Sequence, residues 1–247
     1  MHLTLLTGAS RGLGLAMAQQ LLQPGQRLLT VSRHSAALVA PAGAELLQWQ
    51  HDLADPAPLA AKLQAWLGTQ DSAALQSVCF IHNAGVLSTL APLGANGSAE
   101  LSHALRVGLE APLVLSAAFL RATAGWPVPR KLLFISSGLG RFAMAGSASY
   151  CAAKAGLDHL ARAIALEEAT RPGGARVESL APGVIDTDMQ RQLRAADPAQ
   201  FSDHARFVAL QTEGALDSPE AAAAKVLRAL ARPDFGAQPV TDVRERA

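Results

Sequence analysis

A chain of 247 residues, half of them hydrophobic, is long enough to bury the core of one large α/β domain. Its 21 basic and 20 acidic residues nearly cancel to a net charge of +1, and the absence of a basic block or stripe argues against a nucleic-acid or membrane-surface partner. Two cysteines make no disulfide framework and seven scattered histidines show no metal-ligand spacing, so a cytoplasmic protein without a metal site is expected.

Strand-like and helix-like patterns alternate along the chain. Residues 3–7 form a short apolar run that reads as a buried strand, too short and without the basic flank of a leader. Residues 12–22 carry helical spacing through Leu13, Ala16, Met17 and Leu21. Further strands are predicted at 27–32, 45–50, 77–82, 131–136 and 176–180. Helices are predicted over about 58–67, 100–122 (interrupted by Gly108 and Pro112), 149–169 and 219–230, the last followed by a short polar tail. No apolar stretch approaches 18 residues without a charge, so nothing is expected to span a membrane. Continuous apolar strands separated by helices predict a doubly wound parallel sheet with helices on both faces, one α/β domain over residues 1–247.

The first strand runs into Thr7-Gly8-Ala9-Ser10-Arg11-Gly12-Leu13-Gly14, which opens the first helix. Glycines here let the backbone turn sharply and let a pyrophosphate approach a helix N-terminus, where free N–H groups and the dipole favour an anion. The spacing differs from G-x-G-x-x-G, but its place between strand and helix points to a dinucleotide. The second strand ends at Ser32-Arg33, where an acidic residue would hold a ribose 2′-hydroxyl. A hydroxyl and a guanidinium stand there instead, with Arg11 in the turn, and this favours NADP(H) over NAD. The alternative is that Arg33 is an ordinary surface arginine. Asp52, after the third strand, either caps the next helix or accepts from an adenine amino group.

Tyr150, the chain's single tyrosine, stands four residues before Lys154, one of four lysines. Positions i and i+4 share a helix face, so the ammonium is expected to lower the phenol's pKa, and Ser137 offers a hydroxyl to the same point. The trio reads as an acid–base site for carbonyl/alcohol chemistry. Alternatively, Tyr150 is a half-buried helix aromatic and Lys154 a solvated charge. Residues 189–216 are expected to cover the crevice at the strand ends. Met189, Leu193, Phe201, Phe207 and Leu210, with Phe142 and Met144, either line an apolar substrate pocket or form the small core of that cover.

The glycine turn, His82-Asn83-Ala84-Gly85, the Ser137/Tyr150/Lys154 set and Pro182-Gly183-Val184-Ile185-Asp186-Thr187 stand in this order along the chain. As an ordered set they resemble the short-chain dehydrogenase/reductase superfamily over essentially the whole chain, which implies a Rossmann-type fold. The resemblance implies that Tyr150 is the general acid, that Lys154 tunes it and binds the nicotinamide ribose, and that Ser137 orients the substrate oxygen. It places Asn83, Ala84 and Gly85 beside the adenine ribose, and Asp52 and Leu53 near the adenine. It puts Gly183, Ile185 and Thr187 at the nicotinamide end. Gly108 departs from the pattern, which has an asparagine in the proton relay, and His82 departs from an initial asparagine.

Ser136-Ser137-Gly138-Leu139-Gly140-Arg141, the run from Ser149 to Asp158, and Asp186-Thr187-Asp188-Met189-Gln190 resemble the sepiapterin reductase and benzil reductase branch more closely. That implies an NADPH-dependent carbonyl reductase of a small ketone or vicinal diketone, packed as a homodimer or homotetramer. Phe142, Met189 and Asp242, the last at the place of a tail acid that anchors a pterin, are the implied substrate residues. An alcohol dehydrogenase using NADP, or a non-catalytic NADP-binding regulator with Gly108 as its mark, are the alternatives.

Overall fold

The computed structural model describes residues 1–245; residues 246 and 247, the end of the expected 1–247 domain, lie outside the described residues. Seven parallel strands form one sheet in the order β3-β2-β1-β4-β5-β6-β7. They are β1 His2–Thr7, β2 Gln26–Ser32, β3 Glu45–Gln50, β4 Ser77–His82, β5 Arg130–Ile135, β6 Arg176–Ala181 and β7 Val240–Asp242. The first six match the predicted runs. Strand order reverses between β1 and β4, so the chain leaves these two neighbours in opposite directions and opens a crevice at their carboxyl ends.

Alternation along each strand divides the core. On one face Leu5, Phe80, Phe134 and Val177 pack with Leu63, Phe119, Leu157 and Ile164 from α2 (Pro56–Gly68), α4 (Ala111–Thr123) and α5 (Ala148–Ala169). On the other, Leu6, Cys79, Ile81 and Leu133 pack with Met17 and Val226 from α1 (Gly12–Leu21) and α8 (Pro219–Ala231). Pro219 at the first helical position and a Ser218 hydroxyl accepting from the Ala221 N–H at 3.1 Å start α8.

The interruption expected at Gly108 is a π-helical turn, Arg106–Glu110, joining α3 (Ser98–Leu105) to α4 without a break. Pro112 has no N–H with which to close an α bond to the Gly108 carbonyl, and the wider turn absorbs that loss. The stretch Ser98–Thr123 has the length and mean hydropathy (1.3) of a membrane span, yet half of its apolar window is buried inside the protein, as in a core helix.

Three elements were not expected from the sequence. The polar tail holds β7, paired to β6 with Asp242 beside Ala181. The crevice cover contains two helices, α6 (Asp188–Arg194) and α7 (His204–Thr212). Asp52 does not cap α2: its carboxylate accepts from the Ala54 N–H at 3.0 Å, and Asp55 occupies the cap position.

Candidate active site

The carboxyl ends of the strands open into a cleft of about 870 Å³ that runs from Ser32 and Arg33 at one end to Met189 and Asp242 at the other. At the first end the backbone sets the shape. Gly8 has φ +72°, and a Cβ on Gly14 would lie 2.0 Å from the Gly8 carbonyl oxygen, so each position admits only glycine for its own reason. Asn83 Nδ2 donates to the Thr7 and Gly8 carbonyls at 3.1 Å each, and Thr7 Oγ1 accepts from the Asn83 and Ala84 N–H groups. The end of β4 is thereby tied to the turn. Ser32 Oγ accepts from the Ala9 N–H at 2.9 Å and braces the same loop from β2.

Helix α1 begins at this turn with no side-chain cap and no acidic residue in its first turn. Gly12, Leu13 and Gly14 line the cleft, so the uncapped, dipole-positive helix end faces it. Arg33 is exposed and makes no ion pair among the described residues. Arg11 reaches across the cleft instead, pairing with Asp188 at the start of α6 at 3.1 Å.

Helix α5 delivers Tyr150 and Lys154 to the floor of the cleft, against the end of β5. Lys154 is buried, not the solvated charge of the alternative reading, and its Nζ donates to the Ile135 carbonyl at 2.6 Å. Burial pulls its pKa down to about 8, while the Asp158 carboxylate one turn further acts in the opposite direction. The phenol departs from expectation. Burial pushes Tyr150 up to about 12, against the pull of the facing Ser137 hydroxyl. The ammonium, 5.5 Å from the ring centroid, is spent on the Ile135 carbonyl and does not produce the expected lowering. Ser137 also caps the short 3-10 turn Gly138–Gly140, accepting from the Leu139 N–H at 3.2 Å.

The far end is built of side chains from separate segments. Leu193, Phe201 and Phe207 bury against Leu90 and Met144, with Leu210 packed beside them, and Met144, Leu193, Phe207 and Leu210 of this small core also line the cleft. Phe142 is 72% exposed and lines the cleft, as does the half-buried Met189. Asp242 lines the cleft too, but Arg244 holds both its carboxylate oxygens, at 2.9 and 2.6 Å, and Arg141 approaches to 3.9 Å. These contacts hold its carboxyl below the usual range, the Arg244 hydrogen bonds first among them. Position 108 is tight: a Cβ there would sit 3.0 Å from the Cβ of Ala153.

Residues 2–198 match the family model described as short chain dehydrogenase. The chain belongs to the short-chain dehydrogenase family. A benzil reductase ((S)-benzoin forming) of Bacillus cereus is 30% identical over 95% of this chain and 96% of that protein. The sepiapterin reductase of Meriones unguiculatus is 33% identical over 93% and 91%. The expected branch of the family is therefore the one its relatives occupy. A solved Beutenbergia cavernae structure, assigned as an NAD(P)-dependent gluconate 5-dehydrogenase and holding NADP at low occupancy, is 27% identical with a TM-score of 0.80. It covers 98% of this chain and 94% of its own.

In this short-chain dehydrogenase the residues fit a dinucleotide. Gly14 lets α1 pack tight against the Gly8 carbonyl and the Asn83 amide, and the α1 N-terminus there offers uncapped N–H groups to the cleft. Sequence reasoning missed the bracing role of the Asn83 amide, the Arg244 clamp on Asp242 and the buried Asp158. Only Asp158 left a signal: it shares the helix face of Tyr150 and Lys154 at the same four-residue spacing.

Proposed function

We propose that this protein is an NADPH-dependent carbonyl reductase acting on a small ketone or vicinal diketone, benzil-like or sepiapterin-like. The observation that carries the reading is one cleft with an anion-ready glycine turn at one end and Ser137, Tyr150 and Lys154 on its floor. When bound, NADPH supplies a hydride from C4 of its nicotinamide to the carbonyl carbon. Gly8, Ser10, Gly12, Leu13 and Gly14 hold the pyrophosphate, and Ser32, Arg33 and Arg11 take the 2′-phosphate. Asp52 and Leu53 stand by the adenine, Asn83, Ala84 and Gly85 by its ribose, and Gly183, Ile185 and Thr187 hold the carboxamide end.

Ser137 donates to the substrate oxygen and fixes its direction. Tyr150 gives that oxygen a proton as negative charge develops on it. A phenol raised to about 12 keeps its proton through the physiological range, which suits an acid in reduction better than a base in oxidation. Lys154 keeps a positive charge under the forming alkoxide while it remains protonated. Gly108 supplies no amide, and the close approach of Ala153 supports reading it as a packing adaptation of a working enzyme.

Phe142 and Met189 form the apolar lip for the substrate, within a cover spanning residues 189–216. Asp242 meets a substrate N–H once Arg244 swings away. We propose a cytoplasmic enzyme that assembles as a homodimer or homotetramer, an assembly that the exposed Leu113 on α4 and Leu166 on α5 support. The test is NADPH with benzil, and separately with sepiapterin, followed by loss of NADPH absorbance. Turnover of either is expected. Tight NADPH binding with no turnover across a carbonyl panel would refute the reading.

A further inference from the structure

Helix α5 presents three groups on one face at four-residue spacing, Tyr150, Lys154 and Asp158. Three successive residues leaving β5 meet them. The Ile135 carbonyl accepts from Lys154, the Ser136 hydroxyl donates to Asp158 Oδ1 at 2.6 Å, and the Ser137 hydroxyl faces Tyr150. The Ser179 hydroxyl, from β6, donates to the same Asp158 oxygen at 2.7 Å. Asp158 is 1% exposed, and its other oxygen, Oδ2, has no hydrogen-bond partner among the described residues.

Burying a carboxylate with one oxygen unpaired is costly, and an apolar side chain would pack there without that cost. The surroundings are nonetheless shaped to it. A Cβ on residue 140 would sit 2.6 Å from Oδ2 and 3.0 Å from the Lys154 carbonyl oxygen, so Gly140 leaves the space that Asp158 occupies. A buried group kept at such a cost, bonded to the residue that precedes the substrate-orienting serine, calls for a role beyond packing.

Resting on the roles given to Ser137, Tyr150 and Lys154 above, we propose that Asp158 is a positioning residue that aims Ser137 by locking the hydroxyl of Ser136. With Ser136 pinned to α5, the position of residue 137 is set by its own backbone, extended at φ −158° and ψ 158°, from which its hydroxyl meets the Leu139 N–H and Tyr150. Ser179 completes the acceptor's shell from β6 and holds the carboxylate's orientation, but it does not adjoin the site. The two serines therefore give equivalent hydrogen bonds with unequal consequences.

The experiment compares Ser136→Ala, Ser179→Ala, Asp158→Ala and Asp158→Asn with Tyr150→Phe, measuring kcat, KM, NADPH affinity and thermal midpoint. Misaiming a group by about 1 Å costs on the order of a hundredfold in rate, so Ser136→Ala and Asp158→Ala should lose about ten- to hundredfold in kcat with NADPH affinity unchanged. Asp158→Asn keeps an oxygen that accepts from both serines and should stay within about threefold of the parent. Ser179→Ala should lower the midpoint as Ser136→Ala does, with kcat intact. Equal kcat for Ser136→Ala and Ser179→Ala would overturn the proposal, and that pair decides even if Asp158→Ala does not fold. An inactive Tyr150→Phe beside a fully active Ser136→Ala defeats this inference alone. Full turnover by Tyr150→Phe defeats the active-site reading and this inference with it.

Discussion

The two ends of the cleft are built on different principles. At the glycine turn the backbone does the shaping: Gly8, Gly14 and the Asn83 bridges leave almost no freedom, and one more carbon at residue 14 would overlap the Gly8 carbonyl oxygen. At the substrate end the shape comes from side chains on four segments, with a small core of their own and an acid clamped by an arginine. A ligand shared by a whole family needs only a rigid backbone mould, whereas substrate choice rests on groups that sequence can exchange without disturbing the sheet.

The sharpest way to break this comparison is Gly14→Ala. Its Cβ cannot be accommodated without moving the turn, so NADPH binding should be lost and the thermal midpoint should fall; an unchanged affinity by fluorescence titration would show the mould to be soft. Arg33→Ala should weaken NADPH by roughly ten- to hundredfold, the loss of one charge-assisted bond, and leave NADH nearly untouched. Equal losses for both cofactors would remove Arg33 from 2′-phosphate recognition.

The pH dependence follows from the buried lysine. Its pKa near 8 means that the ammonium is present below that value and lost above it, so kcat/KM should be level below pH 8 and fall as pH rises through it. Tyr150, near 12, contributes no decline in that range. A profile flat to pH 10 would contradict the role of Lys154. The smallest effect belongs to the soft end: Phe142→Ala should raise KM for an aromatic diketone by about three- to tenfold, the worth of one exposed ring, with kcat and NADPH affinity preserved. A change in kcat instead would bring Phe142 into the rigid part of the site.

The same contrast decides what the sequence made legible. Six strands and the glycine turn announced themselves because buried parallel strands are unbroken apolar runs and a tight backbone approach demands glycine. The seventh strand did not. Val240, Thr241 and Asp242 hold one aliphatic residue and no alternation, and their pairing partners on β6 lie some sixty residues away in the chain. Helix α6 likewise has a polar sequence, DMQRQLR, and depends on Leu193 entering a core drawn from distant loops and on Asp188 pairing with Arg11. The spacing of Tyr150 and Lys154 was legible, but not the sign of the phenol's shift. Spacing cannot tell that the ammonium is already committed to the Ile135 carbonyl and that burial is the largest influence on the phenol.

The central claim is that the rigid end binds NADPH while Tyr150, on the floor between the two ends, supplies the proton. The most direct test is Tyr150→Phe, with NADPH affinity and benzil turnover measured on the same preparation. The account predicts affinity within about twofold of the parent and a rate lower by at least the ~10²-fold worth of a general acid. A variant that binds NADPH and reduces benzil at the full rate would contradict it.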